Sequence, residues 1–123
     1  MTIERIGLVG LGLVGRSIAA CLLSRGFQVT EYSKGQGDYD QARARIAREL
    51  GELVDLADFP AAIIDTWPDR LVEAESLDEL GQSQFVVESI FEDLQAKQQL
   101  YDELEKVIAP EVPIGSNTSA IPI

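Results

Sequence analysis

Apolar and polar positions along the chain fall into two alternating rhythms. A short apolar run at Arg5–Val9 closes in Gly10-x-Gly12-x-x-Gly15, and a helix-period pattern over Leu13–Ser24 follows at once. Arg25-Gly26 stops that helix and Phe27–Tyr32 reads as a second strand. Asp40 to about Ala57 places Ala42, Ile46, Leu50, Leu53, Val54 and Ala57 on one helical stripe, with Gly51 as a candidate break. Arg43, Arg45 and Arg48 fall on its polar side, where a solvated face is expected. Asp58-Phe59-Pro60 ends it, and Ala61–Trp67 follows as a short irregular or helical piece in which Trp67 packs.

The second half repeats the alternation. Leu71–Ala74 predicts a short third strand and Leu77–Leu80 a single helical turn. Residues Gln84–Ile90 are nearly all apolar, as a strand covered on both faces should be. Asp93 suits the N-cap of a helix carrying Leu94, Leu100, Tyr101, Leu104, Val107 and Ile108. Ala109-Pro110 stops that helix, Val112–Gly115 predicts a fifth strand, and Ser116-Asn117-Thr118-Ser119 turns at its carboxyl end. Strands alternating with helices imply an α/β fold, a Rossmann-type doubly wound parallel sheet with strand order 3-2-1-4-5.

Composition narrows the function. The chain has 123 residues, a length that suits one domain, 1–123. No apolar run is long enough to span a membrane, and the start leaves no room for a signal peptide, so a cytoplasmic setting is expected. The lone Cys21 cannot staple the fold, and core packing on the first helix is expected of it. A net charge of −11 argues against nucleic acid and anionic membranes as partners. The charge is uneven: residues 1–50 carry seven basic and five acidic side chains, and residues 51–123 carry three and sixteen. An anionic cofactor would meet the less repulsive half, although a solvated acidic surface explains the other half equally well.

The glycine motif carries the first chemistry. Strand, glycines, helix is the context that favours reading G-x-G-x-x-G as a dinucleotide fingerprint, the alternative being a merely structural glycine turn between strand and helix. Gly10 permits the tight turn, Gly12 lets a diphosphate approach backbone, and Gly15 lets helix and strand pack closely. The diphosphate would rest on free N–H groups at the helix start, at Leu13 and Val14. An acid at the end of the second strand normally holds the adenosine ribose, and about 18 residues beyond Gly15 that position is Ser33. Glu31 has the right parity but lies two residues early. Ser33 and Lys34 could instead contact a 2′-phosphate, or form an exposed turn with an incidental lysine.

Ligands of open α/β sheets bind beyond the carboxyl ends of the strands. Three clusters converge there: the glycine loop, Glu88–Lys97, and Asn117–Ser119. Taken by themselves, Glu92 and Lys97 also fit a salt-bridged helix start, and Asn117–Ser119 a hydrogen-bonded turn. Phe85-Val86-Val87-Glu88-Ser89-Ile90-Phe91-Glu92-Asp93-Leu94-Gln95-Ala96-Lys97, followed by Ser116-Asn117-Thr118-Ser119-Ala120-Ile121-Pro122-Ile123, resembles the cofactor domain of the 3-hydroxyacyl-CoA dehydrogenases. The resemblance covers nearly the whole chain and is weakest between Ser33 and Arg70. It implies that Glu92 and Lys97 lie near the ribose and nicotinamide. It further implies that Asn117 and Ser119 serve the nicotinamide and the substrate's reacting oxygen.

The resemblance implies NAD as cofactor, an acyl-CoA-like substrate in the complete enzyme, and no metal; a homo-oligomer fits it. Two departures stand out. Ser33 replaces the ribose-binding acid, which opens the site to NADP. The family's His–Glu pair and helical second domain lie downstream of the motifs matched here, and these 123 residues contain no histidine, so a truncated domain is expected. A secondary alcohol needs a base tuned near neutral pH. The chain is therefore expected to bind cofactor without turning over substrate alone, as a truncated domain. The β-hydroxyacid dehydrogenases share the glycine segment and often take NADP, but the second half does not resemble them. A non-catalytic nucleotide-binding or interaction module is the alternative from a different class.

Overall fold

The computed structural model describes residues 2–33, 39–89 and 94–116. Five parallel strands form one sheet in the order β3-β2-β1-β4-β5, with β1 at Arg5–Val9, β2 at Gln28–Tyr32, β3 at Leu71–Glu73, β4 at Phe85–Glu88 and β5 at Ile114–Ser116. This is the doubly wound order expected from the alternating pattern. Helices α1 (Leu13–Ser24), α2 (Tyr39–Ala57), α3 (Ala62–Arg70) and α4 (Leu94–Val107) connect the strands, with a 3₁₀ turn at Leu77–Gln82. Among the described residues no helix is long and apolar enough to cross a membrane.

Because successive strand residues point to opposite faces, the sheet separates two cores. Leu8 and Val29 pack with Ala19, Ala20 and Leu23 of α1 and with Ile46, Leu50 and Trp67 of α2 and α3. Val9 and Val86 pack on the other face with Leu80, Leu104 and Ile108. Parallel strands covered on both faces read as continuous apolar runs, which is why β1 and β4 stand out in the sequence.

Several local expectations change. Cys21 is exposed, not part of the core. It lies two residues from both Ala19 and Leu23, a step that carries it to the far side of a 3.6-residue helix. Arg43 is not a solvated arginine: its Nε sits 2.9 Å from Glu73 Oε2, and its guanidinium lies 5.7 Å from the centre of the Trp67 ring. Gly51 does not break α2, and α3 runs through Pro68 to Arg70. β5 starts two residues later than expected. The Val112 amide still bonds back to the Ala109 carbonyl at 3.0 Å, so the chain is turning there, not extended along the sheet.

Candidate functional site

The glycine loop follows the carboxyl end of β1, and glycine fixes its shape. Gly10 adopts φ of 104°, in the left-handed region that glycine alone enters freely. Its amide donates to the Tyr32 carbonyl at 3.1 Å, tying the loop to the end of β2. The Ser89 amide donates to the Val9 carbonyl at 2.8 Å and ties β4 to the same point. A Cβ at Gly15 would lie 2.2 Å from the Gly10 carbonyl oxygen, so only glycine lets α1 start this close to the loop. A Cβ at Gly12 would meet nothing within 4 Å, so its open side faces free space.

Helix α1 begins at that open side. Gly12 is its N-cap and supplies no side-chain hydrogen bond, and no acid occupies the first turn. The first N–H groups therefore keep their capacity for an anion, reinforced by the positive end of the helix dipole. Leu13 and Val14 are 66% and 53% exposed, unusual for large apolar residues and consistent with a wall left open to a ligand.

Two buried glutamates flank β1. Glu31 of β2 pairs in register with Leu8, and Glu88 of β4 with Val9, so they point into opposite faces of the sheet. Both are 0% exposed. Glu88 is met by Lys97 of α4, whose Nζ donates to Glu88 Oε1 at 3.0 Å. The Ser116 hydroxyl of β5 donates to the same oxygen at 2.9 Å, and the Tyr101 hydroxyl lies 3.4 Å away. One carboxylate thus joins α4 to the ends of β4 and β5. Burial, followed by the Glu88 carboxylate, raises the Tyr101 phenol above its ordinary value.

Among the described residues no cation pairs with Glu31. The Ser33 hydroxyl donates to its Oε1, while its Oε2 is buried without a hydrogen-bond partner. Burial pushes its carboxyl above the usual carboxylate range, and the Glu73 carboxylate adds to this. The Ser33 and Tyr39 hydroxyls and the Gly10 amide oppose the shift without cancelling it. Tyr39 is raised in turn, first by burial and then by Glu31.

The structure thus brings Gly10, Gly12, Leu13, Val14 and Gly15 to one loop, Ser33 to the end of β2, and Lys97 beneath the ends of β4 and β5. Lys34, Glu92, Asn117 and Ser119 lie outside the described residues. The Glu88–Lys97 pair had a sequence signal, a carboxylate inside an almost wholly apolar strand. Glu73 and Arg43 had none, being 30 residues apart.

Residues 5–123 match the family described as 3-hydroxyacyl-CoA dehydrogenase, NAD binding domain. The chain belongs to that family. It is 31% identical over 122 residues to a 3-hydroxybutyryl-CoA dehydrogenase of Mycobacterium tuberculosis, covering 98% of this chain and 43% of that protein. The crystal structure of M. tuberculosis FadB2 superposes with a TM-score of 0.88 at 31% identity, over 100% of this chain and 44% of that one. The 3-hydroxybutyryl-CoA dehydrogenase of Escherichia coli K12 also gives 0.88, at 26% identity, over 98% of this chain and 26% of the other. The chain therefore spans less than half the length of these relatives. As a member of the family it is an NAD-binding domain of the 3-hydroxyacyl-CoA dehydrogenase type, with the sheet that this assignment requires.

Proposed function

We propose that this domain seats a nicotinamide dinucleotide for a dehydrogenase that oxidises a 3-hydroxyacyl-CoA, its relatives being 3-hydroxybutyryl-CoA dehydrogenases. The observation that carries the reading is the open backbone at Gly12, facing an uncapped helix start and held in place by the close approach of Gly15 to Gly10. Bound there, the cofactor supplies a hydride acceptor. The protein's own share is to hold and orient. The first amides of α1 receive the diphosphate, and Ser33 faces the adenosine ribose. Lys97, fixed by Glu88, sets a positive charge under the nicotinamide end.

Glu92 and Asn117 complete that end in this reading, and Ser119 holds the substrate oxygen, all by position in the family motif. None of the 123 residues is a histidine, so the proton of the alcohol must go to a base that this sequence does not supply. NAD is the family's cofactor; NADP stays the alternative because Ser33 stands where an acid is usual and Lys34 follows it. The acyl-CoA substrate, a cytoplasmic setting and a homo-oligomeric assembly belong to the same reading.

Gly12→Val tests the seat. The new side chain enters free space, so the fold should persist, but it occupies the approach of the diphosphate. Calorimetric titration with NADH should show at least about a hundredfold weaker binding, the equivalent of losing two charge-assisted hydrogen bonds. Equal affinity in the variant would remove the glycine loop from the site.

A further inference from the structure

We propose that Glu31, acting through the Ser33 hydroxyl, makes the adenosine end of this site select a free 2′-hydroxyl over a 2′-phosphate, and hence NAD over NADP. The inference rests on the reading that the glycine loop seats a dinucleotide. It assigns Glu31 the part of a positioning residue for cofactor choice, two residues upstream of the acid that such sites normally use.

The argument begins with proton count. A serine hydroxyl has one proton to give and two lone pairs. Ser33 spends its proton on Glu31 Oε1, so it presents only lone pairs outward. A ribose hydroxyl can donate to such an oxygen. A 2′-phosphate, which has only acceptors to offer when ionised, cannot. Charge works in the same direction. The groups facing Glu31 are the Tyr39 hydroxyl from α2, the Gly10 amide from the loop and the Glu73 carboxylate from β3. Arg43 of α2 is engaged with Glu73 and also donates through Nη2 to the Leu71 carbonyl at 2.9 Å. Among these described charged groups two are carboxylates and one is a cation, which leaves an excess of negative charge where the phosphate would have to sit.

The geometry also explains why the acid can stand two residues early. Glu31 and Ser33 share one side of the strand end, so the carboxylate lies behind the hydroxyl instead of at the surface. The Glu31 Oε2 is buried without a hydrogen-bond partner, and among the described residues no cation pairs with it. When Glu31 is protonated it loses its charge and can donate to Ser33, freeing the serine proton to turn outward. Selection should then relax.

The test is titration of the whole chain with NADH and NADPH, followed by nicotinamide fluorescence, for the unmodified protein, Glu31→Gln and Ser33→Ala. At pH 8 the unmodified chain should bind NADH at least about tenfold more tightly, the effect of about one unit charge several ångströms away in a partly solvated crevice. In Glu31→Gln the ratio should fall by about five- to tenfold while NADH binding persists, and the part of its pH dependence that comes from protonating Glu31 should disappear. The 2′-phosphate titrates near pH ~6 in both proteins, so the difference between their profiles belongs to Glu31.

Ser33→Ala keeps the carboxylate and removes the acceptor, so NADH should weaken by about threefold to tenfold with NADPH less affected; this variant decides the matter should Glu31→Gln not fold. A preference of the unmodified chain for NADPH would overturn the proposal in favour of Lys34. So would an unchanged ratio in Glu31→Gln, with tight binding in both proteins. Failure of the unmodified chain to bind either nucleotide would instead defeat the cofactor reading on which the proposal stands.

Discussion

Two strand ends of this sheet each bury a glutamate, and they have solved the problem differently. At the end of β4, Glu88 accepts from Lys97 and Ser116. At the end of β2, Glu31 accepts from Ser33 and leaves an oxygen without a partner beside a second carboxylate. Burying a charge is tolerable when a counter-charge and hydrogen bonds replace the lost water, and unfavourable otherwise. The β4 arrangement therefore looks like architecture that a cofactor site can lean on. The β2 arrangement opposes folding and is easier to understand as chemistry retained for a ligand.

The largest effect should come from breaking the paired end. Lys97→Met removes the cation from the buried Glu88 and so brings the β4 end closer to the β2 end. Loss of one partner of a buried pair costs about 3–5 kcal/mol, a large share of a small domain's stability. Replacing both, as Glu88→Gln with Lys97→Met, should recover most of it. Urea denaturation of the three proteins gives the comparison. A single variant as stable as the double would mean that Glu88 tolerates isolation, and the contrast between the two ends would disappear.

The contrast also marks what the sequence could and could not reveal. The individual strands, the glycine loop and the stripe on α2 follow from local periodicity, because each strand or helix carries its own burial pattern, and the strand order follows from their alternation in a doubly wound fold. Glu88 was visible as a carboxylate in an apolar strand, and Lys97 nine residues on was its nearest cation in the chain. Glu31 was visible by parity, and Ser33 two residues on was within its reach, but its contact with Tyr39 was not visible, since Tyr39 comes from the start of α2. Arg43 read as surface because its partners, Glu73 and Trp67, come from later elements. Cys21 read as core because a single apolar residue beside a stripe does not reveal which side of the helix it takes. The open-sheet rule brought the clusters that hold Glu92, Asn117 and Ser119 to the strand ends, and only their individual roles came from the resemblance.

A second effect is intermediate in size and opposite in sign. Because Glu31 has a raised pKa in the folded state, its contribution to stability is fully present below its unfolded value and is lost as pH rises through the folded one. Glu31→Gln carries no such titration. At pH 8 the variant should be more stable than the unmodified chain by about 1–3 kcal/mol, the scale of a buried unsatisfied group. The gain should shrink as pH falls through the raised titration of the folded carboxyl. Thermal melts across that range measure it. A gain that stays constant with pH would locate the effect in packing instead of charge.

The smallest effect separates the two ends by a single hydroxyl each. Tyr101→Phe removes a donor 3.4 Å from Glu88, which retains Lys97 and Ser116, so stability should change by no more than about 0.5 kcal/mol. Tyr39→Phe removes one of the few groups that favour the Glu31 carboxylate. It should cost about 1 kcal/mol at pH 8, where Glu31 needs that donor most. At lower pH, once the carboxyl is protonated in the fold, the cost should be less, because a protonated carboxyl depends on the phenol less. It should also push the Glu31 titration further upward, moving the pH at which NADH and NADPH converge in affinity to a higher value. Paired melts of the two phenylalanine variants at both pH values are the measurement. Equal costs at the two ends, independent of pH, would show that the lysine gives Glu88 no advantage and that Glu31 is as well satisfied as its counterpart.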